Sequence, residues 1–118
     1  MKKNEIIKKL KNSLNLSSKW VDYDGITPDE STIKSAILFL NIIENNKLSM
    51  PRPIIFSDGE VGFIWENSTN NYVEIGFLHD NIDYLILFEG VNIHCQDAYI
   101  DEKNEELIKY IKKLIICK

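Results

Sequence analysis

The stretch from Ser57 to Phe88 constrains this chain more than any other part of it. Val61, Phe63 and Trp65 fall on alternate positions of one run, and Val73, Ile75 and Phe77 on alternate positions of the next. A polar break over residues 67–71 separates the two runs, and His79-Asp80-Asn81 separates the second from the apolar run that ends at Phe88. A period of two gives each run one apolar face, so the stretch predicts an antiparallel β-meander. A sheet with one oily face needs a cover, which the helical segments on either side can supply.

Those segments have helical spacing. Over residues 3–14, Ile6, Ile7, Leu10 and Leu14 share one stripe, with lysines opposite and residues 15–18 ending the helix. Such a basic amphipathic helix can lie on a membrane, but four apolar residues without an aromatic favour packing on the domain. Thr27 is the expected N-cap of the second helix, with Pro28 at its first position and Glu30 at its third, a capping-box pattern. This helix is predicted to run to about Asn45, with Ile33, Ala36, Ile37, Leu40 and Ile43 on one stripe widened by Leu38, Phe39 and Ile42. That width predicts deep burial against the sheet. The last helix, over residues 101–116, begins acidic and ends basic, as the helix dipole prefers, and presents Leu107, Ile108, Ile111, Leu114 and Ile115.

Between the second helix and the sheet, Pro51 and Pro53 hold an extended linker. Strand one is expected at residues 54–57, followed by a two-residue type I′ turn at Asp58-Gly59. Gly62 and Gly76, on neighbouring strands, leave the second face of the sheet open. They either admit a ligand or a helix close to the sheet, or relieve its twist. Residues 91–95 form a fourth or fifth strand, an edge that can pair with a copy of itself to give a homodimer. The expected fold class is therefore α+β: two N-terminal helices, an antiparallel meander of four to five strands, and a C-terminal helix, all in a single domain over residues 1–118.

Composition supports a globular chain, with 44% hydrophobic and 27% charged residues in 118. The first residues carry charges where a secretory signal has its apolar core, and no apolar run approaches the ~18 residues of a membrane span. With no export signal, Cys95 and Cys117 are expected as free thiols and the protein as cytoplasmic. The net charge of −4 is unevenly spread. Residues 1–19 hold six lysines against Glu5, and residues 103–118 hold five against Glu105 and Glu106. Residues 20–102 carry three basic residues against fifteen acids. An acidic body either steers a basic partner or only caps helices and fills turns.

Chemistry is sparse. His79 belongs to a hairpin turn. His94 and Cys95 are adjacent on a strand and point to opposite faces, so they cannot act as a base and nucleophile. Two cysteines and two histidines lack zinc spacing, and Asp22 with Asp24 lacks the ligand ladder of a calcium loop. No phosphate-binding glycine loop, nucleophile elbow or metalloprotease motif occurs. No catalytic residue, metal site or cofactor is expected, and the chain is not expected to be an enzyme. Direct nucleic-acid binding is disfavoured, because Lys8, Lys9, Lys11, Lys109, Lys112 and Lys113 come without arginine while the body is acidic. The candidate binding residues are Trp20, Asp22, Tyr23, Asp24, Asp29 and Glu30. Against this stands the reading that Trp20 and Tyr23 fold back to close the core.

Two patterns carry a resemblance. Trp20-x-x-Tyr23-x-x-Ile26-x-Pro28 precedes an apolar helix, and Pro53-Ile54-Ile55-x-x-x-Gly59-x-Val61-x-Phe63-x-Trp65-Glu66 follows it. Over about residues 20–90 the chain resembles a loose group of small, largely uncharacterised bacterial and phage proteins. These share a Trp-x-x-Tyr loop, a helix and a Pro…Gly-x-Val-x-x-x-Trp hairpin. The chain departs from them at Asp22, where glycine is common. The resemblance implies an α+β fold and an association with mobile elements, and no activity. The expected function is a non-catalytic protein-binding module that occludes or sequesters another protein, a basic or nucleic-acid-binding one. A phage-borne inhibitor of a bacterial defence system, of the anti-CRISPR kind, is one form. The alternatives are an antitoxin or immunity-type neutraliser of a toxin, or a small-ligand-binding domain using a groove beside Gly62 and Gly76.

Overall fold

A computed structural model describes residues 2–14, 26–67, 70–99 and 104–116. Its elements are α1 (Lys3–Ser13), α2 (Glu30–Asn45), β1 (Arg52–Ile55), β2 (Val61–Glu66), β3 (Tyr72–Leu78), β4 (Asn81–Phe88), β5 (Val91–Tyr99) and α3 (Asn104–Ile116). The strands form one antiparallel sheet in the order β1-β2-β3-β4-β5, so the fold is α+β built on a five-stranded meander.

Register places the alternating apolar residues in rows across the sheet. Val61 lies opposite Phe77 and Phe77 opposite Ile82; the next rows are Phe63–Ile75–Tyr84 and Trp65–Val73–Ile86. All nine are buried. A one-residue slip in any pairing would turn a whole row to water, so burial fixes the register. The helices cover this face: α1 packs on α2 and β1, α2 on β2 and β3, and α3 on β2, β3 and β4. At the centre, the Phe39 ring of α2 stands 6.4 Å from Trp65 and 5.8 Å from Phe77, and Phe63 stands 5.1 Å from Phe77. The indole N–H of Trp65 donates to the Ser49 carbonyl at 2.8 Å, so this polar edge is buried with a partner.

The helical stripes hold with one exception. Ile6 and Leu10 of α1, Ile33, Ala36, Phe39, Leu40 and Ile43 of α2, and Leu107, Ile111 and Leu114 of α3 are buried. The side chain of Ile115 lies outside the described residues. Leu38 does not widen the α2 stripe: it is 48% exposed. At about 100° per residue it sits roughly 200° from Ala36, on the outer side of the helix.

Three local expectations are corrected. The N-cap of α2 is Asp29 and not Thr27: Asp29 Oδ1 accepts the Thr32 N–H at 2.8 Å, and Pro28 is buried just ahead of the cap. The preceding residue pair is held elsewhere, since the Ile26 N–H donates to the Ser57 carbonyl at 2.7 Å beside the β1–β2 loop. A carboxylate two residues on is also the stronger acceptor at a helix N-terminus. Strand β1 begins at Arg52, two residues early, because an edge strand tolerates the missing N–H of Pro53. Finally, the β1–β2 loop is not type I′, which needs two left-handed residues. Only Gly59 is left-handed there, with φ 89°; its N–H donates to the Phe56 carbonyl and the Phe56 N–H to Glu60, closing a three-residue loop. The left-handed pair occurs instead at Glu89-Gly90, φ 48° and 84°, between β4 and β5.

Candidate functional site

The face of the sheet away from the helices carries the most distinctive surface. Its central rows are Gly62–Gly76–Asp83 and Ile64–Glu74–Leu85–His94. The gap left by the two glycines is filled by the chain itself. The Phe56 ring lies over Gly62, 2.7 Å from where a Cβ would stand, and the Glu60 carboxylate lies over Gly76, 1.9 Å from the equivalent point. The space over the pair holds no helix; it is taken by Phe56 and Glu60. Beside them a groove of about 450 Å³ opens across the face, with Asp58, Glu60, Glu74 and Asp83 among its walls and His94 and Gln96 on the β5 side.

Four carboxylates share this groove. Partial burial, and then the charges of Asp58, Asp83 and Glu74, push the Glu60 carboxyl above its ordinary value of 4.5. Burial and the Glu74 charge likewise push the nearby Tyr72 phenol up. The groove therefore carries a negative potential that its own groups feel, and a cation entering it lowers that repulsion. Among the described residues no group of three His, Cys, Asp or Glu side chains is arranged to hold a metal ion.

Of the candidate residues from sequence, Trp20, Asp22, Tyr23 and Asp24 lie outside the described residues. Asp29 and Glu30 open α2 on another part of the surface. Asp29 is engaged structurally: besides Thr32, its carboxylate takes the Ser31 hydroxyl at 2.9 Å and His79 Nδ1 at 2.6 Å. Burial opposes its ionisation, but the Thr32 N–H and hydroxyl, the Ser31 hydroxyl and the His79 charge outweigh that and hold it down at about 2. The β3–β4 turn is clamped to the same place, with the His79 N–H donating to Thr32 Oγ1 and the Ser35 hydroxyl to the His79 carbonyl. Ser31, His79 and Asp29 hold the residue types of a hydrolytic triad without its geometry. Both oxygens meet Nδ1, Ser31 at 3.5 Å, whereas a triad sets serine and aspartate on opposite ring nitrogens. Glu30 is exposed beside a shallow apolar depression between α1 and α2 lined by Leu14, Ile33 and Ile37.

The remaining polar features are tied into the core or its edge. The buried Tyr84 hydroxyl donates to Glu106 of α3; burial and that carboxylate push the phenol far up. Lys113 stands 4.9 Å from the centre of the Tyr110 ring and 5.6 Å from that of Phe88, and Lys109 stands 5.5 Å from Tyr110. Those two lysines lie on aromatic faces, and α1 and α3 cover different parts of the sheet. No helix among the described residues is long and apolar enough to cross a membrane.

Sequence reasoning marked Gly62 and Gly76 but missed Asp58, Glu60, Glu74 and Asp83. The available signal was the acid on the polar phase of each strand next to Gly76. Comparison with protein-family models, with curated proteins and with solved structures returned no match.

Proposed function

We propose that the chain is a non-catalytic binding protein that holds a basic segment of another protein against the outer face of its sheet. The observation that carries this reading is the groove at Gly76, where four carboxylates share one concave surface. Charge is also divided between faces. Lys8, Lys9, Lys11 and Lys112 are exposed on helices that cover one side of the sheet, where they stand among Glu5, Glu30, Glu44 and Glu105, while the four groove acids lie on the other side. A basic partner is thus drawn to the sheet side and repelled from the helix side, which orients the encounter. Occlusion of a host protein, as a phage-borne inhibitor or a toxin neutraliser would achieve it, is the form that the resemblance to phage and bacterial proteins favours.

The test compares the wild-type chain with the triple variant Glu60→Gln, Glu74→Gln, Asp83→Asn. Affinity capture from a bacterial host lysate is expected to yield a stoichiometric basic protein with the wild type and none with the variant. Equal capture by both, or no stoichiometric partner for either, contradicts the reading. A small polyamine in the same groove is the second reading, favoured by the space beside Gly76. Spermidine binding at low millimolar salt without any protein partner would support it.

A further inference from the structure

The two edges of the sheet differ in a way that indicates how such a partner is held. Edge strand β1 is four residues long, contains Pro53 and follows Pro51; its Arg52 is paired with Glu66 at 3.1 Å, and α1 packs on it. Short length, proline and charge are the usual guards against strand addition. Edge strand β5 spans nine residues, has neither proline nor lysine, and among the described residues is bonded to β4 alone.

The phase of β5 follows from the turn before it. A two-residue loop with both residues left-handed makes Phe88 and Val91 a hydrogen-bonded pair. Alternation then makes Ile86–Ile93 and Tyr84–Cys95 hydrogen-bonded pairs as well, and leaves the amides and carbonyls of Asn92 and His94 directed away from the sheet. Both residues are exposed. Past Cys95 the register shifts, Tyr84 pairing with Cys95 and Ile82 with Ala98, so the regular free edge is the stretch from Val91 to Cys95.

We infer that the partner enters as an added strand on β5: an extended, basic segment of another protein whose backbone pairs with the Asn92 and His94 edge. This rests on the reading of the acidic groove given above. Alternate side chains of an added strand project onto the outer face, because side chains alternate across any strand. The rows of Asn92 and His94 lead to Leu87 and Leu85 on β4, and Asp83 stands on the same face two residues past Leu85, two strand spacings or about 10 Å across from an added strand. A lysine or arginine reaching inward and a carboxylate reaching outward span that gap. Backbone pairing supplies affinity, and the acids select for the basic side chains. A second copy of the chain fits less well, since two-fold pairing brings two acidic faces side by side.

The test uses a fluorescent decapeptide of alternating lysine and threonine, and the same peptide N-methylated at every second residue. The two have equal charge, but the second cannot pair along one edge. Binding at low salt is read by anisotropy, and exchange of the Asn92 and His94 amides by NMR. The N-methylated peptide is expected to bind at least tenfold more weakly, and the parent peptide to slow exchange at both amides. His94→Pro removes one outward N–H without touching the β4 ladder, and should weaken the parent peptide similarly at an unchanged melting temperature. If that variant misfolds, the peptide pair still decides. Equal binding of both peptides with unchanged exchange overturns strand addition and leaves the acidic-groove reading standing. Absence of any binding by the parent peptide overturns both. A wild-type chain that is dimeric alone, and monomeric as His94→Pro, gives the edge to a second copy and also overturns the inference.

Discussion

Protonating Asp29 should release the β3–β4 turn from the start of α2, and the size of the effect can be worked out. The carboxyl is held at about 2 against an ordinary 3.8. At about 1.36 kcal/mol per pKa unit this sets a ceiling of roughly 2.5 kcal/mol. Its side chain is 47% exposed and that of His79 is 63% exposed, so solvent screening reduces the net value to about 1 kcal/mol. That equals the usual loss on replacing an aspartate N-cap by alanine. The sign follows from the lowered folded-state value. The contribution is complete above the unfolded value near 4 and is lost as pH falls through 4 towards 2. Urea unfolding of the wild type and Asp29→Ala, at pH 7 and at pH 2.5, measures it. The variant should be about 1 kcal/mol less stable at pH 7, and the deficit should shrink to about a third of that at pH 2.5. Asp29→Asn, which keeps a capping acceptor but not the charge, should recover only a minor part of the loss at pH 7. A deficit of the same size at both pH values would refute the assignment of this stability to the ionised carboxylate.

The aromatic cluster predicts that Phe39→Ala loses about 3–5 kcal/mol, because a ring buried between Trp65 and Phe77 leaves a cavity; chemical denaturation reads it directly. Gly59 and Gly90 are both left-handed, at φ 89° and 84°, but a Cβ on Gly59 meets Ile26 Cγ2 at 3.2 Å while one on Gly90 meets nothing within 4 Å. Each alanine substitution should cost about 1 kcal/mol of backbone strain, with Gly59→Ala the larger loss in thermal unfolding. Glu60 behaves oppositely to Asp29. Its raised carboxyl penalises the folded state at neutral pH, a penalty relieved as pH falls through its folded value towards 4.5. Glu74→Gln should therefore lower the Glu60 carboxyl in an NMR titration and leave neutral-pH stability unchanged or slightly raised.

The features visible in sequence are those whose signal is local. A period of two at residues 61–65 and 73–77 reports the buried face whatever the partner strands do, and a period near 3.6 does the same for Ile33, Ala36, Leu40 and Ile43. Turn geometry was less legible. Asp58-Gly59 and Glu89-Gly90 both offer glycine in second place, and hydrogen bonding to Phe56 together with the Ile26 contact decides which becomes the three-residue loop. Pairs set by tertiary placement left no trace: Asp29 and His79 meet only because the β3–β4 turn ends at the start of α2. The groove is of the same kind. Glu74 and Asp83 arrive from different strands, and Glu60 reaches Gly76 only because of the loop that precedes it.

That arrangement bears on whether the acids serve solubility alone. Carboxylates that only solvate a surface gain by standing apart, where water screens each one. Here Glu60 is folded onto the bare backbone of Gly76, partly out of water, in the field of three further acids, and its ionised form is disfavoured as a result. Local propensity does not ask for this either, since acids and glycine are poor strand formers. A sequence that weakens its own sheet at one point, while its core rows and its hairpins remain mutually consistent, marks that point as a functional or a strained one, and the proposed partner would be met there. The groove that Glu60 and Glu74 line also touches His94, whose backbone is directed away from β4. The proposed basic, extended segment would meet both.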